Sequence, residues 1–207
     1  MGFIGRSALL LLGFFLSTAK KILRQSLLKQ RNSLTPLEQK EAAISVAHRL
    51  MQVHEVISAK RLAYYWPVNN ELDLRFFIEK LSSFSIQTYL PVLNSTASRH
   101  LHFYPYTPGD PLRKNRYGIE EPLIENAKQT EAHDMDVVLV PLVGFDQQCR
   151  RLGMGGGFYD TTFSFTRLQK KPFLIGLGYE IQKVERIPTD PWDVLLDKIV
   201  SEKAIYG

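Results

Sequence analysis

An apolar, β-branched run that empties into a glycine-crowded loop is the feature that most narrows what this chain can fold into. Asp136-Val137-Val138-Leu139-Val140-Pro141 has the length and composition of a buried strand. It leads into GFDQQCRRLGMGGGFYD, from Gly144 to Asp160. Gly153, Gly155, Gly156 and Gly157 stand close together there, with Arg150 and Arg151 before them and Tyr159 and Asp160 after. Without a Cβ, such residues let successive backbone N–H groups turn toward one anion, and a helix starting next adds its positive end. The two arginines offer forked donors suited to phosphate, and Asp160 could hold a Mg²⁺ that phosphates also ligate. The stretch matches neither GxxxxGK[ST] nor GxGxxG with a later ribose-binding acid. A glycine-rich hairpin therefore stays open beside an anion-binding loop. Spacing alone reaches no further.

The rest of the chain supports an α/β reading. With 207 residues, 44% of them hydrophobic, it can build one sizeable domain. Thr35, Pro36 and Glu38 form a helix-start signal, and a helix is expected from Pro36 to His54. Arg61 to Trp66 is expected as a strand, followed by a helix capped by Asn70 with Glu71 in its first turn. That places Glu71 beyond a strand's carboxyl end, where open sheets bind ligands, although a carboxylate favouring a helix N-terminus would look the same. Ser85–Leu90, Leu101–Tyr104, Phe173–Gly178 and Val194–Val200 are expected strands, and Phe158–Leu168 an expected helix. Pro105 to Pro122 reads as a long loop, in which Lys114 and Arg116 could meet an acidic substrate tail. Alternating strands and helices predict a single α/β domain with a mostly parallel sheet layered by flanking helices.

Charge and cysteine content exclude several classes. A net charge of +5, from 26 basic and 21 acidic residues, suits an anionic small molecule and is too dispersed to argue for nucleic acid. The single cysteine, Cys149, excludes an internal disulfide and a cysteine metal cluster. Residues 1–19 form an apolar extension, with Arg6 ahead of Ala8–Leu16 and small residues after, in the outline of a signal peptide. The apolar run is too short to span a bilayer, so no stable membrane association is expected. From Ala19 to Arg31 the apolar residues follow a helical period, and Lys20 and Arg24 project from one face.

Several segments agree, in order, with one family. KKILR (Lys20–Arg24), YWPVNNELD (Tyr65–Asp73), YGIEEP (Tyr117–Pro122), the block from Asp136 to Asp160, GLGYEIQ (Gly176–Gln182) and IPTDPWDVLLD (Ile187–Asp197) resemble the 5-formyltetrahydrofolate cyclo-ligases, also called methenyltetrahydrofolate synthetases. The resemblance runs from about Lys20 to the C-terminus, marks residues 20–207 as the catalytic domain and implies a Rossmann-like layered, mostly parallel sheet. It implies an enzyme that uses ATP as co-substrate and Mg²⁺ to turn 5-formyltetrahydrofolate, with or without a polyglutamate tail, into 5,10-methenyltetrahydrofolate, releasing ADP and phosphate.

The same resemblance implies roles for single residues. Lys20 and Arg24 match a phosphate-contacting pair, and Arg151, Leu152, Gly153, Met154, Gly155, Gly156, Gly157, Phe158 and Tyr159 match the ATP-binding loop. Lys20, Arg24 and Arg151 thereby become the candidates for stabilising the transferred phosphoryl group. Asp160 and Asp193 match metal-associated aspartates; Glu71 and Trp66 match folate contacts, joined by the loop from Met154 to Phe158. Cys149 stands where the family has glycine, and Phe158, Asp190 and Trp192 stand where it has Tyr, Glu and His. A cytoplasmic location is expected, because a secreted enzyme would meet neither ATP nor reduced folate. A non-catalytic folate- or nucleotide-binding relative is the alternative, which turnover would exclude. An isomerase or CoA-transferase on a similar fold would not need ATP.

Overall fold

A seven-stranded sheet forms the frame of the protein, in a computed structural model that describes residues 4–93, 99–124 and 127–207, with side chains from residue 16 onward. In chain order the first elements are α1 (Ile4–Asn32), α2 (Pro36–Leu50), α3 (His54–Ile57), β1 (Arg61–Ala63), α4 (Arg75–Leu81), β2 (Gln87–Leu93) and β3 (Leu101–Pro105). A hairpin of β4 (Leu112–Lys114) and β5 (Glu120–Pro122) follows, then β6 (Val137–Pro141) and a short ribbon of β7 (Gly144–Phe145) and β8 (Arg151–Leu152). The chain ends with α5 (Phe158–Thr162), β9 (Phe173–Leu177), β10 (Lys198–Val200) and β11 (Ile205–Tyr206).

The sheet order is β11-β10-β9-β6-β1-β2-β3. Contacts from β2 through β10 are parallel, and β3 and β11 close the two edges antiparallel. β6 is central and covered on both faces, which explains its unbroken apolar sequence. Val137 and Leu139 pack with α2 and α4, while Val138 and Val140 pack on the other side with Phe103, Phe145 and Phe163. The capping box at Thr35 and Glu38 starts α2 as expected, with Thr35 N donating to Glu38 Oε2 at 2.8 Å.

α1 forms a third cluster of its own. Leu27 packs with Val143, Leu152 and Ile187, which seats the helix against the β7–β8 ribbon. Gly144 makes this approach possible, since a Cβ there would run into the Leu27 methyl. Side chains of residues 1–15 lie outside the described residues, but the backbone of the expected apolar extension at 1–19 is helical from Ile4 and runs on without a break as α1. Among the described residues, no helix is long and apolar enough to cross a membrane.

Several expected boundaries move. Asn70 does not cap a helix: Asn69 and Asn70 both take left-handed backbone angles (φ 50° and 59°), and α4 begins five residues later, behind Leu74. Asparagine tolerates that region, so the two residues form a turn that a helix start would resemble in sequence. The helix expected over Phe158–Leu168 breaks at Phe163 (φ −104°, ψ 17°) into α5 and a 3₁₀ turn, Ser164–Arg167. The strand expected from Val194 shortens to Lys198–Val200, because Val194 N donates to Asp160 Oδ1 and Leu196 N to Cys149 O instead of to a ladder. β1 ends at Ala63, and the helix expected to reach His54 ends at Leu50, with α3 a separate turn.

Candidate active site

Strands β1 and β6 are neighbours, but the chain leaves them toward opposite edges, β1 toward β2 and β6 toward β9. Loops that diverge in this way leave a crevice beyond the strands' carboxyl ends, where α/β sheets bind ligands. The segment after β1 carries Trp66 and Glu71, and the segment after β6 carries the ribbon and the glycine loop. α1 crosses this end of the sheet and adds Lys20 and Arg24.

The ribbon turn is held by Asp146, which is fully buried. Its Oδ1 accepts from Gln148 N (2.9 Å) and Arg150 N (3.2 Å), and its Oδ2 from Ile187 N (2.9 Å) and Arg150 Nη1 (3.2 Å). Arg150 thus braces the ribbon turn on Asp146, whereas the sequence had offered it beside Arg151 as a phosphate donor. Cys149 completes the turn at φ 58°, a conformation natural to glycine. Its buried thiol packs near Gly207, and that burial pushes the thiol's pKa up. Such a thiol is a poor nucleophile.

Arg151 points the other way. Its nearly buried guanidinium donates through Nη1 to Val194 O and through Nη2 to Asp160 Oδ1 at 2.7 Å. Arg24 reaches the loop from α1, donating through Nε to Gly153 O at 2.7 Å. Its guanidinium lies 3.6 Å from where a Gly155 Cβ would stand. Among the described residues no acid pairs with Arg24, and burial pulls its pKa down. Gly155 and Gly157 have φ of 98° and 73°, which a side chain would strain, so both glycines are required by the backbone. Arg99 flanks Gly157, with Nη1 3.7 Å from the position of a Cβ there. The loop thus runs between two guanidinium groups. α5 has five residues, too short for the dipole contribution expected from a following helix. Leu152 is buried against Leu27, Met154 is exposed, and Phe158 and Tyr159 are half-buried.

Asp193 and Asp190 grip Lys20. Nζ lies 2.5 Å from Asp193 Oδ2 and 2.7 Å from Asp190 Oδ2. Asp160, through its bond to Val194 N at 3.0 Å, docks on the residue next to Asp193. The expected metal aspartates therefore belong to one corner of the site, each neutralised by a cation that is itself a phosphate candidate. No group of three metal-ligating side chains occurs among the described residues. Two carboxylates of this kind suit Mg²⁺ that takes its remaining ligands from phosphate and water, rather than a metal caged by protein.

Glu71 occupies the opposite wall. It sits in the loop before α4, its Oε2 accepting from Val68 N at 3.2 Å. Burial raises its pKa, against the pull of Val68 N–H and of Arg31. Trp66 packs edge-on against Tyr106, ring centroids 6.2 Å apart. Lys114 and Arg116 are exposed, and Arg116 lies over the Tyr117 ring, so neither is placed with these groups.

Three residues that sequence reasoning passed over belong here: Arg31, Arg99 and Asp190. Arg31 carried a usable signal, since Lys20, Arg24, Leu27 and Arg31 lie at i, i+4, i+7 and i+11, one stripe of α1. Asp190 stood beside Asp193 in an acidic, proline-broken segment. Arg99 carried none, because only the fold brings it to Gly157.

Known proteins share this arrangement of chain. The profile of the 5-formyltetrahydrofolate cyclo-ligase family matches residues 16–202. The 5-formyltetrahydrofolate cyclo-ligase of Haemophilus influenzae is 37% identical over 86% of this chain and 95% of its own length. That of Escherichia coli K12 is 34% identical over 86% of this chain and 97% of its own. The structure of the Aquifex aeolicus 5,10-methenyltetrahydrofolate synthetase superposes with a TM-score of 0.74 at 30% identity, covering 90% of this chain and 91% of that one. The Mycoplasma pneumoniae synthetase gives 0.70 at 27% identity, over 88% and 98%. With the family profile matching residues 16–202 and nearly the whole chain covered by these relatives, the protein belongs to the 5-formyltetrahydrofolate cyclo-ligase family.

Proposed function

We propose that this enzyme closes 5-formyltetrahydrofolate to 5,10-methenyltetrahydrofolate at the expense of ATP, releasing ADP and phosphate. The observation that carries the reading is the convergence of Lys20, Arg24 and Arg151 on one corner of a glycine loop, with buried Glu71 across the crevice. Arg24 and the loop backbone from Gly153 to Gly157 bind the phosphates, and Lys20 and Arg151 spread the charge of the transferred phosphoryl group. Glu71 and Trp66 orient the folate so that its formyl oxygen lies in line with the γ-phosphorus.

The formyl oxygen bonds to that phosphorus as the bond to ADP breaks. N10 then attacks the activated formyl carbon and loses its proton, and phosphate leaves with the former formyl oxygen. Asp160 and Asp193 would hold Mg²⁺, whose contribution when bound is to neutralise phosphate oxygens. Little covalent help is needed from the protein; positioning and exclusion of water are its tasks.

Methenyltetrahydrofolate absorbs in the near ultraviolet, and the formyl substrate does not. Purified protein given 5-formyltetrahydrofolate, Mg²⁺ and ATP should produce that absorbance, and omission of ATP should abolish it. An enzyme that binds both ligands yet yields no absorbance would defeat the proposal in favour of a binding protein.

A further inference from the structure

Arg31 is the largest side chain among those wholly buried, at 1% exposure. It stands at the end of the α1 stripe and reaches two other segments. Nη1 lies 4.0 Å from Glu71 Oε1 and 3.4 Å from Leu142 O, just past the end of β6. Its Nε and Nη2, and the nearby Tyr179 hydroxyl, have no hydrogen-bond partner among the described residues. A guanidinium so poorly answered is a cost to the fold, since apolar side chains of similar volume usually serve stability as well or better. Such a cost is expected where a residue serves a site.

We propose that Arg31 is a positioning residue for Glu71, fixing its carboxylate in the ionised form in which it accepts N–H donors of the folate. This rests on the assignment of the crevice to a reduced folate. The neighbours of Glu71 explain why a cation is needed. Tyr65 follows β1 and donates to Leu72 O at 3.1 Å; Tyr159 lies on α5 and Tyr179 follows β9. Burial keeps all three phenols protonated, that of Tyr179 with a pKa of about 12. Among charged groups, Arg151 faces Tyr159, and Asp73 and Glu202 face Tyr179. Among the described residues, Arg31 is the cation that faces Glu71 itself. The carboxylate sits in a dry, hydroxyl-lined corner that favours its protonated form; the Val68 N–H opposes this, and the Arg31 guanidinium is the charge that opposes it too.

The test compares wild type with Arg31→Met, Arg31→Lys and Glu71→Gln. The readouts are KM for each substrate, the pH profile of kcat/KM for the folate, and folate binding without ATP followed by Trp66 fluorescence. Arg31→Met should raise the folate KM and Kd by about tenfold or more while the ATP KM changes by less than about twofold. Its acid limb should move upward by about one pH unit, because Glu71 then protonates more readily. Arg31→Lys should restore the limb and recover part of the affinity, the charge being kept and the fork lost. Adding Glu71→Gln to Arg31→Met should cost little more than either change alone.

A stability loss with unchanged folate Kd and acid limb would overturn the proposal, as would equal rises in both KM values. Should Arg31→Met fail to fold, the decision passes to Arg31→Lys, whose folate Kd must rise severalfold while ATP affinity holds. If wild type forms no methenyl product, the proposed reaction fails, and the folate-binding series still judges Arg31.

Discussion

Replacing Lys20 by methionine should have opposite effects on the two ligands of the phosphate corner. In the protein, Lys20 Nζ occupies Asp193 at 2.5 Å and Asp190 at 2.7 Å, and all three side chains are less than a fifth exposed. Burial pulls the lysine pKa down, but the two aspartates more than compensate, and the net shift is upward. Lys20 therefore stays charged through neutral pH. A charge-assisted bond of this kind is worth roughly 1.5–3 kcal/mol net. A Mg²⁺ ion taking Asp193 must break at least one, so removing the lysine should tighten Mg²⁺ binding, without nucleotide, by about tenfold. ATP should bind about tenfold more weakly, having lost a phosphate partner. Trp192, exposed between Asp190 and Asp193, serves as the reporter in Mg²⁺ and ATP titrations of the two proteins. Mg²⁺ binding that is unchanged or weaker in Lys20→Met would refute the idea that Lys20 holds the place of a metal.

Three further outcomes follow from the geometry. Asp160→Asn keeps the shape that receives Val194 N but removes the charge facing Arg151, and methenyl formation should fall by at least about 10²-fold with the far-ultraviolet circular dichroism unchanged; wild-type turnover would disprove the assignment. Gly144→Ala drives a methyl into Leu27, so urea denaturation should show a loss of about 1–3 kcal/mol, accompanied by a raised KM for ATP because α1 carries Lys20 and Arg24. At Cys149, φ is 58°, and thermal unfolding should find Cys149→Gly more stable than Cys149→Ala by about 1 kcal/mol, the reverse of the order seen at ordinary positions.

What could be read from the chain beforehand follows the reach of each signal. β6, the α2 capping box and the glycine loop announce themselves within a few residues, and all three are where they were expected. Arg150 and Arg151 are adjacent and chemically identical in sequence. Only the fold separates the one that locks a turn on Asp146 from the one that faces Asp160. Asn70 resembled a cap because asparagine serves both caps and left-handed turns. Val194 and Leu196 are buried and apolar, as strand residues are, but their backbone donors go to Asp160 and Cys149. Arg31 was overlooked for the opposite reason: a buried guanidinium has the same hydropathy as a solvated one.

The clasp between Lys20 and the Asp190–Asp193 turn joins groups 170 and 173 residues apart. During synthesis, at about 5–20 residues per second, α1 leaves the ribosome early and then waits several seconds or more for its acidic partners. Until they arrive, Lys20 has no counter-charge and Arg151 has no Val194 carbonyl to hold it. Closure of so long a loop is also among the slowest contacts a domain of this size can make. The corner around Lys20 should therefore form late, and the proposed ATP binding should appear in a nascent chain only once Asp193 and Val194 have emerged.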